Sequence, residues 1–68
     1  MVEYKVQIED TDRGNGQVDV YLDRTLLGSV TFVDGRTAVV SQVLDSPTRV
    51  TAIQSFKDAL RAAREKPK

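Results

Sequence analysis

The stretch 45-DSPTRVTAIQSFKDALRAAREKPK-68 holds the one helix this chain can make, and everything before it alternates as strands do. At about 100° per residue, Ala52, Ile53, Phe56, Ala59, Leu60 and Ala63 share one stripe, with Val50 at its edge. Thr51, Gln54, Ser55, Asp58 and Arg61 fall on the opposite side. Ser46 is the expected N-cap, because its hydroxyl can accept a bond from an orphaned amide, with Pro47 at the first helical position. Arg61, Arg64 and Lys66 suit the negative end of the helix dipole, and Pro67 cannot continue the ladder. A helix over about 47–65 would be marginal by itself in water, so it needs a sheet to lie on.

The sheet is written in the residues before it. Val2, Tyr4, Val6 and Ile8 alternate with Glu3, Lys5, Gln7 and Glu9, which predicts a strand over 2–9 with one buried face. The turn formers of 10-DTDRGNG-16 end it. Further strands are predicted at 17–23, 26–33 and 36–44, with Val18, Val20 and Leu22 inward and Asp19, Tyr21 and Asp23 outward on the second. Asp34-Gly35 is a two-residue hairpin signal, since both residues tolerate positive φ. That turn sets Phe32 opposite Thr37 and Val30 opposite Val39, so Val30, Phe32, Val39 and Val43 are expected on one face. Two registers remain open between the second and third strands. A three-residue loop brings Leu22, Leu26, Val30 and Phe32 inward; a two-residue loop at Arg24-Thr25 brings Leu27, Thr31 and Val33 inward instead. The first buries Phe32 and is preferred. The fold class follows: one α+β domain over 1–68, a three- to four-stranded antiparallel meander packed on one face by a single C-terminal helix.

Composition narrows the function. A chain of 68 residues buries only about 60% of its unfolded surface, so its core is thin and association would strengthen it. Without cysteine there is no disulfide, and without histidine the commonest general base and metal ligand are both missing. No G-x-S-x-G elbow is present, and Asp19 and Asp23 are placed on a wet face, without the burial that acid–base work by paired carboxylates needs. The carboxylates of 9-EDTDRGNG-16 miss the calcium-loop pattern, and Gly14-Asn15-Gly16 opens a strand where a phosphate loop opens a helix. The expectation is a non-enzymatic protein with no cofactor and no metal. No run approaches the roughly 18 apolar residues of a membrane span, and 1-MVEYKVQIED-10 does not read as a signal peptide, so a cytoplasmic location is expected.

Two surfaces then compete. Tyr21, Leu27, Val33 and Val40, with Ala38, are placed on the sheet face away from the helix, which suggests a second contact surface and a homodimer or other protein partner. Against this stands charge. Residues 1–45 carry four basic against eight acidic side chains, and residues 46–68 carry six against two, so an acidic sheet lies under a basic helix. Lys57, Arg61 and Arg64 cluster along one helix edge, which Arg49, Lys66 and Lys68 extend, as a nucleic-acid or other anionic contact would require. The outward acids would repel phosphates, so nucleic acid is the less favoured partner. A third reading has a phage-type or host-interaction protein docking the acidic face on a basic partner.

The segment 34-DGRTAVVSQVLDSPTRVTAIQSFKDAL-60, through Gly35, Ser41-Gln42 and Ile53-x-Ser55-Phe56-Lys57, resembles the small YegP-like domains of unknown function, although the tyrosine usual after Ser-Gln is absent. The resemblance implies a meander-plus-helix unit that pairs with a second copy, and it implies no catalytic residues.

Overall fold

The alternating segments become strands β1 (Val2–Asp10), β2 (Asn15–Leu22), β3 (Thr25–Val33) and β4 (Arg36–Val40), followed by helix α1 (Ser46–Glu65). The structure is a computed structural model that describes residues 1–65; the expectations for Lys66, Pro67 and Lys68 lie outside the described residues. The strands form one antiparallel sheet in the order β1-β2-β3-β4, with the helix on one face. This is the expected α+β meander.

The core is a single layer between sheet and helix: Val18, Val20, Val30 and Phe32 from below, Ala52, Phe56 and Leu60 from above, and Leu44 at its side. Phe32 and Phe56 stack face to face, with ring centroids 3.9 Å apart and planes 3° from parallel. Gly16 makes that stack possible. It pairs with Ile8 on one side and Phe32 on the other, and a Cβ there would lie 2.8 Å from Phe56 Cε1 and inside contact distance of the Gln7 carbonyl oxygen. Tyr4, Val6, Ile8, Val40 and Ile53 pack half-buried around this centre. Val50, expected at the edge of the stripe, is exposed.

Bulges decide which residues reach the core. The β2–β3 turn has two residues, Asp23 and Arg24, with φ of 48° and 74°, and Leu22 pairs with Thr25. An unbroken ladder from that turn would put Leu27, Thr31 and Val33 inward. Instead Tyr21 pairs with Leu26 and Val20 with Gly28, so Leu27 is an extra residue that moves the rest of β3 by one position and returns Val30 and Phe32 to the core. Neither expected loop is present, yet Phe32 is buried. Leu22 and Leu26, expected inside, are exposed.

A second bulge alters β4. Phe32 faces Thr37 across the Asp34-Gly35 turn as expected, but Thr31 then faces Val39 and Val30 faces Val40, leaving Ala38 as the extra residue. Val40 therefore turns toward the helix and Val39 away from it, the reverse of the expectation for both. The strand also ends at Val40 rather than Leu44. Ser41 donates its amide to the Ser29 carbonyl, and the chain then turns so that Leu44 enters the core above Gly28. A Cβ on Gly28 would meet Ser41 Oγ at 2.8 Å and Leu44 Cγ at 3.1 Å, so this crossing needs glycine below it. Val43, expected inward, is left exposed.

The helix cap lies one residue earlier than expected. Asp45 Oδ1 accepts the Thr48 amide at 3.0 Å, and the Asp45 carbonyl accepts the Arg49 amide at 2.9 Å. Ser46 is the first helical residue, and its hydroxyl accepts from Arg49 at 3.0 Å. The side-chain bond with Thr48 does most to hold the Asp45 carboxyl below its ordinary value, followed by the Thr48 amide; desolvation opposes them, and the nearby Arg49 charge adds a smaller lowering.

Candidate functional site

The side of the sheet away from the helix divides into two halves of different chemistry. On β1 and β2 it presents Glu3, Lys5, Gln7, Gln17, Asp19 and Tyr21. Lys5 Nζ stands 4.8 Å from the centre of the Tyr21 ring, and Gln17 Nε2 donates to Asp19 Oδ1 at 2.9 Å. Tyr21 is half-buried between its cross-strand neighbours Glu3 and Leu26, the position of a packing residue. Asp23, expected on this face, sits in the β2–β3 turn and pairs with the Met1 amino group at 2.9 Å.

The β3–β4 half is richer in aliphatic residues, interleaved with Ser29 and Thr31. Leu26, Leu27, Val33 and Val39 are 55%, 37%, 49% and 64% exposed, and no layer of the described chain covers them. Of the four sheet residues expected to form a contact surface, Tyr21, Leu27 and Val33 are thus on the open side and Val40 is not. Val39 and Leu26 take its place. Both were hidden from sequence reasoning because each lies beside a bulge, and a bulge reverses facing without changing residue type.

The second candidate surface forms where the helix ends. Lys57, Arg61 and Arg64 are brought together, as expected, along a shallow groove of about 420 Å³ that is also lined by Gly35, Leu60 and Glu65. Gly35 belongs to a corner where two sheet loops meet. Gly14, at φ 79°, lies against Gly35, whose amide donates to the Gly14 carbonyl at 3.1 Å, and Asn15 Oδ1 accepts the Asp34 amide at 2.9 Å. Arg64 ties the helix to this corner, donating from Nε to the Thr11 carbonyl at 3.0 Å and from its terminal nitrogen to the Asp12 carbonyl at 3.1 Å. Arg64 is therefore a clamp as well as a charge. Among the described residues, Lys57 and Arg61 form no ion pair.

Among the described residues no three His, Cys, Asp or Glu side chains gather as a metal site would require, and no buried side-chain polar atom lacks a partner. No helix among the described residues is long and apolar enough to cross a membrane. Compared with known protein families, curated proteins and solved structures, the chain finds no match.

Proposed function

We propose that the protein is a small, non-enzymatic protein–protein interaction module that works as a homodimer through the open side of its sheet, by face or by edge. The observation that carries this reading is the one-sided cover of the sheet. The helix closes one face, while the other leaves four large aliphatic side chains of β3 and β4 in water. Exposed aliphatic side chains of that kind, set around Ser29 and Thr31 and beside a polar half, are the layout of a contact surface. A thin core adds the motive, since association extends the buried area of a 68-residue chain. Light scattering or sedimentation at tens of micromolar tests it. A dimer is expected, and a strict monomer whose behaviour is indifferent to Val33→Lys and Val39→Lys would remove the reading.

The groove supports a second reading, in which an anionic partner, nucleic acid included, contacts Lys57 and Arg61 beside the Arg64 clamp. The absence of an ion pair at Lys57 and Arg61 among the described residues favours it. It predicts salt-dependent binding that weakens in Lys57→Ala and Arg61→Ala. No binding to a random-sequence duplex at low salt would exclude nucleic acid.

A further inference from the structure

The sheet has two free edges, and they differ. β4 is short, is bulged at Ala38, and gives way after Val40 to the turn that carries Leu44. Short length and a bulge are the usual protections of an edge. β1 has neither protection over most of its length. It runs Val2–Asp10 without proline, and its register is unbroken from Val2 to Ile8.

The phase of β1 is fixed by one bond. Asp23 donates its amide to the Met1 carbonyl, so Met1, Glu3, Lys5 and Gln7 turn their backbone groups toward β2. Val2, Tyr4, Val6 and Ile8 then direct theirs to the open edge. These are also the residues that face the helix side, where Tyr4, Val6 and Ile8 are only half-buried and Val2 is 41% exposed. One edge thus offers unpaired backbone groups and incompletely buried apolar side chains together.

We propose that a second copy of the chain pairs with β1 about a two-fold axis at Tyr4, giving a continuous antiparallel sheet across the dimer. This inference rests on the homodimer reading in its edge form, and places the contact at β1 instead of at the exposed aliphatic side chains of β3 and β4. Its register follows from charge. In an isologous pair, each contact is made twice with roles exchanged. With Tyr4 opposite the partner's Tyr4, Val2 lies opposite the partner's Val6 and Glu3 opposite the partner's Lys5, so both copies of the charge pair attract. A shift of one residue per strand sets Lys5 against the partner's Lys5, and the next sets Glu3 against the partner's Glu9. A further shift matches Lys5 with the partner's Glu9 but runs the pairing into the bulge between Ile8 and Asp10. The Tyr4-centred register is the one that is matched in charge and regular throughout. It forms about six backbone hydrogen bonds, and it leaves the aliphatic-rich halves of both outer faces free on the wings of the joined sheet.

Glu3 and Lys5 are exposed, so they can be exchanged while the fold is monitored by circular dichroism. Glu3→Lys sets an ammonium group against the partner's Lys5, and Lys5→Glu sets a carboxylate against the partner's Glu3. At low ionic strength each single variant is expected to raise the dimer dissociation constant roughly 10- to 100-fold. Mixing the two variants restores attraction at both positions, and a heterodimer of near-parental affinity is expected by sedimentation velocity. Val6→Pro gives an independent check, because it removes an amide that points to the open edge and leaves the β1–β2 ladder intact; it should abolish the dimer. A parent dimer that tolerates all three substitutions overturns the edge assignment and leaves the homodimer reading standing. Single variants that weaken without rescue on mixing overturn the register. A parent that is monomeric throughout overturns both.

Discussion

Gly16→Ala is the smallest change that strikes the centre of this fold. The added methyl group would overlap the Gln7 carbonyl oxygen, lie 2.8 Å from Phe56 Cε1 and approach Ile8 Cα to 3.0 Å. Overpacking a core costs about 1–3 kcal/mol when side chains can give way. Here the nearest obstacle is the backbone of the paired strand, so a cost near the upper end, about 3 kcal/mol, is expected. At about 0.05–0.15 kcal/mol per residue, a chain of 68 residues has about 3–10 kcal/mol of stability to lose. For a domain of this size the loss lowers Tm by roughly 12–24 °C. Thermal denaturation followed by far-ultraviolet circular dichroism reads the effect, and adding Phe56→Leu should not rescue it, because the carbonyl remains in the way. A Gly16→Ala protein that melts within about 4 °C of the parent would refute the reasoning. So would rescue by Phe56→Leu, which would make the ring the sole obstacle.

Phe56→Ala removes one half of the ring stack and should cost about 3–5 kcal/mol, leaving much of the population unfolded at 37 °C by circular dichroism; a parental melting curve would contradict this. The Asp45 carboxyl, held below its ordinary value of about 3.8, contributes stability that is fully present above that pH and is lost as pH falls through the lowered value. Helix signal should therefore decline in that acid window, Asp45→Asn should remove this component of the pH dependence while keeping an acceptor, and Asp45→Ala should lower Tm at neutral pH; an unchanged acid profile in Asp45→Asn would reject the cap assignment. Arg64→Ala should cost no more than about 1 kcal/mol globally but speed hydrogen exchange at the Gly14 and Gly35 amides, whose loops meet under the clamp. Unchanged exchange there would show that the corner holds without it.

The elements of this fold are legible in local pattern. The period of β1, the Asp34-Gly35 turn and the apolar stripe of α1 each depend on neighbouring residues alone, and each is where the sequence places it. Facing beyond a bulge is not local. The position of Leu27 as an extra residue follows from the need to bury Val30 and Phe32 under Phe56, a contact between distant parts of the chain, while Ala38 as an extra residue sends Val40 to the helix side. Val40 and Val39 consequently exchanged faces, and two members of the exposed apolar group, Leu26 and Val39, were not foreseen. The cap shows the same limit on a smaller scale, since Asp45 and Ser46 are both competent and only the final turn geometry decides between them. The basic cluster was legible because helical spacing alone brings Lys57, Arg61 and Arg64 together. The role of Arg64 in holding Thr11 and Asp12 was not, because it joins residues from opposite ends of the sequence.

Sedimentation equilibrium of the parent chain at tens of micromolar decides whether the chain pairs. The proposed homodimer has an expected mass near twice the 7.6 kDa of one chain. A mass of one chain at every concentration would contradict it.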